Sequence, residues 1–114
     1  MITETVLPKL TLLDPFECGL GVWANMIDLD RENTSVAPFS AARFTVEPGC
    51  TSEVDSHPMH EIWMIAAGDG LLTYDDRQVR IGRSDVLYFE PPKPHFVKNV
   101  GADTMVVFSV WWNN

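Results

Sequence analysis

The feature that most constrains the fold is a series of short apolar runs, separated by turn-forming residues, that begins near residue 37. The runs are rich in Val, Ile, Phe, Tyr and Trp, which are enriched in strands. Turn signals recur roughly every 8 to 12 residues, a spacing typical of an antiparallel sandwich or barrel. Eight prolines spread along the chain leave little room for a long helix. The pattern therefore predicts an all-β, antiparallel domain, for which a jelly-roll β-barrel is a natural architecture.

The whole chain, residues 1–114, has the size of a single domain. Residues 1–35 are mixed in character and are interpreted as an N-terminal extension, whereas residues 37–112 form the predicted barrel core. The predicted strands of this core are APFSAARFTV, EIWMIAA, LLTYDD, QVRI, VLYFE, HFVKN and TMVVFSVWW. The last run is apolar on both sides of its alternation, which is more hydrophobic than a strand with one wet face needs. We therefore expect a homodimer that buries part of this sheet.

The charge balance narrows the range of partners. The formal net charge is −8 at pH 7, which argues against nucleic acid and anionic membranes, because both are bound through clustered Lys and Arg. No apolar run approaches the roughly 18 residues of a transmembrane helix. The N-terminus MITETVLPKLTLL also lacks the features of a signal peptide. We therefore expect a cytoplasmic protein in which Cys18 and Cys50 are free thiols.

The residues that could carry chemistry are concentrated in two short segments. His57, His60 and Glu61 directly precede a predicted buried strand, and His95 follows the proline-rich turn at residues 91–94. A carboxylate among apolar residues is costly unless it is paired or bound to a cation. Imidazoles together with one carboxylate match the ligand set of Zn, Fe, Mn or Ni. The segments predict a site for one divalent transition metal with open coordination positions, as in catalytic sites.

The same residues have a simpler interpretation, in which His57 and His60 are exposed and Glu61 forms a salt bridge. A geometric limit also applies, because adjacent residues of a strand point to opposite faces. His60 and Glu61 can reach one metal only if His60 lies in a turn before the strand. Pro58 would favour such a turn.

The stretch 49–68 resembles the first motif of the cupin superfamily, which reads roughly G, five residues, HxH, three or four residues, E, six residues, G. His57 stands in the second histidine place, and Glu61 and the closing glycine follow at the motif's spacing. Asp55 occupies the first histidine place, which is a departure from the motif. The resemblance therefore leaves open whether Asp55 or His60 supplies the missing ligand.

The stretch 82–99 is similar to the second cupin motif, which reads roughly G, five residues, PxG, two residues, H, three residues, N. His95 and Asn99 fill the last two places at the motif's spacing. A glycine and a proline stand for the first two places, although the gap between them is longer, and Pro92 replaces the second glycine. Two motifs in this order identify the region 37–112 as similar to a cupin domain.

The resemblance implies a small jelly-roll β-barrel, often dimeric, that holds a divalent metal through the motif histidines and glutamate. Carried over to this sequence, the implied ligands are His57, Glu61 and His95. The runs HEIW and FSVWW are also faintly similar to the cupin domains that accompany hydrazine-forming enzymes of natural-product pathways. In those enzymes zinc assists the rearrangement of an amino-acid ester.

The predicted substrate pocket is mainly apolar and aromatic. Alternation places Trp63 on the same face as Glu61. Arg43, in the otherwise apolar AARFTV, could pair with Glu61 or with an acidic group of a substrate. Phe96 and Trp111 complete the predicted lining, and each of these aromatic residues has core packing as its simpler role. Such a pocket suits a small, partly hydrophobic organic substrate better than a polyanion.

Three functions are compatible with these residues. In the first, which we favour, the chain is a metal-dependent cupin enzyme of lyase, isomerase or oxygenase type in amino-acid or natural-product metabolism. The metal would act as a Lewis acid, or bind O₂ if it is Fe(II). Glu61 would be a ligand or general base, and Tyr88 is the candidate acid. The second function is a non-catalytic binding module for a small ligand, and the third is a mainly structural dimer with the C-terminal strand at its interface.

Overall fold

The structure, a computed structural model, describes residues 8–113 of the chain. This range contains eleven β-strands and no helix, so it offers no helix that could cross a membrane. The strands are β1 (Phe16–Glu17), β2 (Val22–Met26), β3 (Asp30–Arg31), β4 (Thr34–Ser35), β5 (Ser40–Val46), β6 (His60–Ala67), β7 (Asp69–Tyr74), β8 (Arg77–Gly82), β9 (Val86–Phe89), β10 (His95–Asn99) and β11 (Met105–Trp112).

The strands form three antiparallel sheets. The largest has six strands in the order β1-β2-β5-β11-β6-β9, the second has three in the order β10-β7-β8, and β3 pairs with β4. The register of the largest sheet sets Ser109 opposite Trp63, and Trp111 opposite Glu61. Opposite residues of an antiparallel pair point to the same side, so these four side chains share one face. The prediction of an all-β, antiparallel fold is confirmed.

The hydrophobic core lies between the inner faces of the six-stranded and three-stranded sheets. Alternation along β6 buries Glu61, Trp63 and Ile65, and it leaves Met64 41% exposed on the other face. The buried core cluster consists of Val22, Val46, Trp63, Ile65, Leu72, Ile81, Phe89, Val97, Met105 and Val107. Burial of one Val, Leu, Ile, Phe or Met side chain contributes about 1.5–3 kcal/mol, so the core determines which face of each strand points inward.

Part of the N-terminal segment belongs to the largest sheet. Strand β2 pairs with β5, and β1 extends the sheet beyond β2. Val22 and Ala24 of β2 are buried, so this segment supplies part of the core. Of the predicted extension over residues 1–35, the strands β1 and β2 are therefore integrated into the sheet. Residues 1–7 lie outside the described part of the chain.

Two residues of the motifs stabilise the fold. Gly68 has a φ of 95°, and a Cβ at this position would lie 2.8 Å from the Cα of Met105, so only glycine allows this approach. Asn99 is buried, and its side-chain amide donates hydrogen bonds to the carbonyl oxygens of Val46 and Asp103, both at 2.8 Å. These contacts join the end of β10 to β5 and to the turn before β11.

Candidate metal centre

Four side chains from two segments converge next to the core. Asp55, His57, Glu61 and His95 each offer one ligand atom, and these atoms all lie within 4.8 Å of one another. Asp55 and His57 lie in the loop before β6, Glu61 is the second residue of β6, and His95 is the first residue of β10. Two backbone hydrogen bonds of 3.0 Å, one in each direction between Asp55 and His95, fasten the loop to β10. The loop, β6 and β10 therefore hold the four side chains together.

Both carboxylate oxygens of Glu61 have close polar partners. Oε2 accepts hydrogen bonds from the Nε1–H of Trp63, at 2.8 Å, and from the hydroxyl of Ser109. Oε1 lies 2.8 Å from Nε2 of His95 and 3.0 Å from Nε2 of His57. One oxygen is therefore held by the sheet, and the other faces the two imidazoles.

The electrostatics of the site favour positive charge. Burial by itself raises the pKa of Glu61, but hydrogen bonds from His95, Ser109 and Trp63 outweigh this effect and lower the pKa from 4.5 to about 2. Burial lowers the pKa of His57, but the hydrogen bond to Glu61 and the charge of Asp55 outweigh it, so that this pKa is raised. The carboxylate of Glu61 is therefore ionised at neutral pH.

Packing fixes the orientation of the His95 ring. The ring stacks on Phe89, with centroids 4.0 Å apart, and lies 5.4 Å from the ring of Trp63. Its Nδ1 lies 3.2 Å from the carbonyl oxygen of Lys93, which can only accept, so Nδ1 carries the hydrogen. A hydrogen bond from Nε2 to Oε1 of Glu61, at 2.8 Å, therefore needs a second hydrogen on the ring. A metal ion bound at Nε2 would take the place of that hydrogen.

The donor set fits a divalent transition metal. A histidine that binds a metal commonly donates its other ring N–H to a backbone carbonyl, as His95 does with Lys93. In His57, Nδ1 accepts a hydrogen bond from the Met59 N–H at 3.3 Å, so Nε2 carries the hydrogen. A metal at this nitrogen would displace that hydrogen, because metals compete with protons for imidazole. Two imidazoles with one or two carboxylates suit Zn, Fe, Mn or Ni.

A cavity of about 460 Å³ opens beside the cluster. This volume is typical of small-molecule sites. The wall is mainly apolar and aromatic, with the charged side chains of the loop before β6 at one side. The lining residues are Phe16, Cys18, Val22, Ala24, Met26, Ala42, Phe44, Ser52, Glu53, Val54, Asp55, Glu61, Trp63, Ser109 and Trp111.

Two of the four predicted pocket residues, Trp63 and Trp111, line this cavity. The contribution of β1 and β2 was not predicted, although the alternation of apolar residues in VWANM is a visible signal for it. Ser109 was also missed, because its contact with Glu61 depends on how β11 and β6 are paired.

His60 lies outside the cluster of possible ligands. It is the first residue of β6 and does not lie in a preceding turn, so alternation sends its ring to the face opposite Glu61. Its Nδ1 contacts the hydroxyl of Tyr88, and its ring stacks on the rings of Tyr88 and Trp112, with centroids 5.9 and 5.6 Å away. Asp55, and not His60, therefore joins the three side chains that the cupin motifs imply.

Three other predicted site residues, Tyr88, Arg43 and Phe96, do not line the cavity. The reason is again alternation along a strand. Each lies next to residues that point inward. Tyr88 precedes Phe89, and Arg43 lies between Ala42 and Phe44. Phe96 lies between His95 and Val97. Tyr88 is accordingly 49% exposed on the outer face of the sheet.

The sequence comparison places the chain in a family. A family model described as a cupin domain matches residues 42–111, which is more than half of the sequence, so the chain belongs to the cupin family. A curated relative is an uncharacterized protein of Methanocaldococcus jannaschii, which is 32% identical over 63 residues. This match covers 54% of the chain and 50% of the relative, so the chain matches about half of that protein's length.

Solved structures agree with this assignment. A Cupin 2 conserved barrel domain protein from Salinispora arenicola is 25% identical, with a TM-score of 0.73 over 99% of this chain and 90% of the other. A predicted oxalate decarboxylase from Thermotoga maritima is 19% identical, with a TM-score of 0.72 over all of both chains. A protein from Photorhabdus luminescens is 16% identical, with a TM-score of 0.74 over 100% of this chain and 88% of the other. The predicted cupin-type jelly-roll fold is confirmed.

Proposed function

We propose that this cupin is a mononuclear-metal enzyme of lyase, isomerase or oxygenase type that acts on a small, partly apolar organic substrate. The observation that carries the proposal is the convergence of four ligand atoms within 4.8 Å of one another, beside a cavity whose wall includes two of the four residues. A molecule in the cavity would therefore lie next to the ligand set.

The proposed ligands of one Zn, Fe, Mn or Ni ion are Asp55, His57, Glu61 and His95. When bound, the metal would serve as a Lewis acid toward an oxygen of the substrate. The side chain of Glu61 is only 6% exposed, and Trp63 and the neighbouring sheet hold it in place, so its role is that of a ligand. The side chain of Asp55 is 50% exposed at the cavity wall, so its second carboxylate oxygen, the one that does not bind the metal, is the better candidate for accepting a proton from the substrate.

The apolar part of the cavity has a separate role. Phe44, Trp63 and Trp111 would hold the hydrophobic part of a substrate and exclude water from the ligand set. The faint similarity of HEIW and FSVWW to the cupin domains of hydrazine-forming enzymes supports a substrate from amino-acid or natural-product metabolism. The two free thiols, Cys18 and Cys50, support a cytoplasmic location.

A non-catalytic binding module is the second candidate, and the composition of the cavity wall favours it. Among the described lining residues there is no His, Lys, Arg or Tyr, so few groups other than carboxylates could transfer a proton to a ligand. This function predicts saturable ligand binding without turnover. A screen of the metal-loaded protein for product formation distinguishes the two, because binding alone would leave the ligand unchanged.

We also propose that the chain forms a homodimer through the outer face of the six-stranded sheet. The side chains that support this are apolar and exposed, namely Trp23 (42%), Met64 (41%), Val86 (68%) and Tyr88 (49%). Strands β5, β9 and β11 contain no Asp or Glu, and the single acid of β6, Glu61, points inward. Two chains of net charge −8 could therefore meet on this face without bringing acidic groups of these strands together.

The test of the enzyme proposal begins with metal content. Protein purified without a histidine tag should carry, or take up, about one transition-metal ion per chain. The double variant His57→Ala/His95→Ala should lose this ion, because removing ligands usually abolishes tight binding. The matched control is His60→Ala, which removes an imidazole outside the cluster and should leave the metal content unchanged. Equal metal content in the double variant and the unmodified protein would rule the proposed site out.

A further inference from the structure

The charged groups of the cavity wall all have the same sign. Among the described lining residues, Glu53, Asp55 and Glu61 are acidic, and no Lys or Arg accompanies them. Arg43 belongs to β5, which supplies part of the apolar wall. It points to the other face of the sheet, since its two neighbours Ala42 and Phe44 line the cavity. The described chain therefore offers an anionic ligand no ion pair inside this cavity.

Glu53 is the acidic group that the proposed metal would not neutralise. Two charges, those of Asp55 and Glu61, would balance one divalent ion, which leaves Glu53 as the surplus negative charge of the wall. Glu53 is exposed, and its Cγ lies 3.4 Å from the position of a Cβ at Gly19. Glu53 itself lines the cavity, as does Cys18. Burial raises the pKa of the Cys18 thiol, and the negative charge of Glu53 raises it further.

The remaining wall is suited to a hydrophobic group. Phe44, Trp63 and Trp111 line the cavity together with small apolar side chains of β2, and Phe16 is 46% exposed at the same cavity. Aromatic side chains attract cations as well as apolar groups. The combination of an aromatic wall with one surplus carboxylate therefore favours a ligand that has both an apolar body and a positive charge.

We propose that this cavity selects small amines with an apolar or aromatic body, with the ammonium group beside Glu53, and that it discriminates against carboxylates. The inference rests on the proposed function only in taking this cavity as the substrate site. Glu53 is thereby a specificity-determining residue, and it has no role in holding the metal.

The experiment uses three probes with the same apolar body, namely 3-phenylpropylamine, 3-phenylpropan-1-ol and 3-phenylpropanoate, titrated at pH 7 with and without Zn²⁺. Binding is followed by NMR through the indole N–H signals. Trp63 and Trp111 line the cavity, whereas Trp23 is exposed and Trp112 stacks on His60 outside it, so these two serve as internal references.

The amine should bind more tightly than the alcohol by about two- to fivefold, the range for an exposed ion pair, and the carboxylate should bind least in the zinc-free protein. In the zinc-loaded protein, where the ion balances Asp55 and Glu61, Glu53→Gln should remove the difference between amine and alcohol while leaving the affinity for the alcohol unchanged. The matched control is Asp76→Asn, which removes one exposed negative charge at the turn between β7 and β8 and should keep the difference.

Three results would overturn the inference. The zinc-free protein could prefer the carboxylate, the difference in affinity between amine and alcohol could survive Glu53→Gln, or the amine could fail to bind. Metal content measured on the same samples separates it from the proposed function. A protein that holds zinc but fails the amine test refutes the amine selectivity alone. A protein that binds the amine as expected but takes up no metal refutes the metal site alone.

Discussion

Glu61 connects the fold to the candidate site, because its two oxygens have different partners. Oε2 is tied to Trp63 and Ser109, and Oε1 faces His57 and His95. A buried carboxylate with this set of hydrogen-bond donors remains charged in the folded protein even without a metal. Its ionisation should therefore contribute to the stability of the metal-free protein.

The pH dependence of unfolding tests this contribution. The pKa of Glu61 is about 2 in the folded protein and 4.5 as the reference value, so its contribution is present above pH 4.5 and is lost as the pH falls toward 2. Between pH 4.5 and pH 3 the loss should be about 2 kcal/mol. In urea unfolding of metal-free protein, Glu61→Gln should show a shallower decline of the unfolding free energy over this interval. If the unfolding free energy of the two proteins fell equally with pH over this interval, Glu61 would not contribute to stability through its ionisation.

The spacing of the cupin motifs is enough to predict that His57, Glu61 and His95 lie together. The choice between Asp55 and His60 could not be made from the sequence, because it depends on the residue at which β6 begins. The strand begins at His60, and neighbouring side chains of a strand point to opposite faces. The His60 ring therefore points outward, because Glu61 points inward. A start one residue later would have left His60 in the loop with the other possible ligands.

At the level of strands, the register between β6 and β11 completes the candidate site. It sets Ser109 opposite Trp63, and the hydroxyl of Ser109 then reaches Glu61. The sequence predicts the apolar periodicity of both strands and the inward direction of Trp63. It does not predict the contact with Ser109, because pairing between strands distant in sequence is set by the packing of the whole sheet and not by either strand alone.

Removal of the Ser109 hydroxyl tests whether this register matters for metal binding. Ser109→Ala leaves the fold's apolar packing in place but frees Oε2 of Glu61 from one of its two donors. Loss of such an outer partner typically weakens metal affinity by about 10- to 100-fold. Titration of Zn²⁺ against a competing chelator measures the change. The control Ser40→Ala, on β5 and outside the cluster, should bind zinc as the unmodified protein does, and an equal effect of both variants would show that Ser109 has no special role.

The N-terminal strands show a different limit of prediction. Strand β1 has two residues and β2 has five, so neither produces a long periodic signal. Both nevertheless line the cavity, through Phe16 and through the inward residues of β2. The turns and strands after residue 37 were predicted well because proline and glycine mark their ends. Short strands such as β1 and β2 form by pairing with a sheet that already exists, so their own sequences carry little signal.

At the scale of the whole molecule, the outer face of the six-stranded sheet is the surface that we propose for self-association. Met64 and Val86 are exposed there on neighbouring strands, at register positions that pair directly. Met64→Lys/Val86→Lys places two charges on this face of each chain, which should weaken the proposed dimer by about tenfold or more. Light scattering after size-exclusion chromatography measures the mass as a function of concentration.

The matched control for association is Val79→Lys on the three-stranded sheet, where the valine is 52% exposed. This change alters the surface charge without touching the proposed interface, so the variant should remain dimeric. A monomeric mass for the unmodified protein, or equal dissociation caused by the lysine at position 79, would be incompatible with the proposed interface.

In the proposed metal centre, two imidazoles and at least one carboxylate bind a single ion. X-ray absorption spectroscopy of the zinc-loaded protein tests this arrangement, because it counts imidazole ligands and gives their distances. We expect two imidazole nitrogens at about 2.0–2.1 Å with oxygen donors in the remaining positions. His57→Ala should reduce the count to one, and His60→Ala should leave it at two. Three imidazoles, or a spectrum that is unchanged in His57→Ala, would be incompatible with the proposed metal centre.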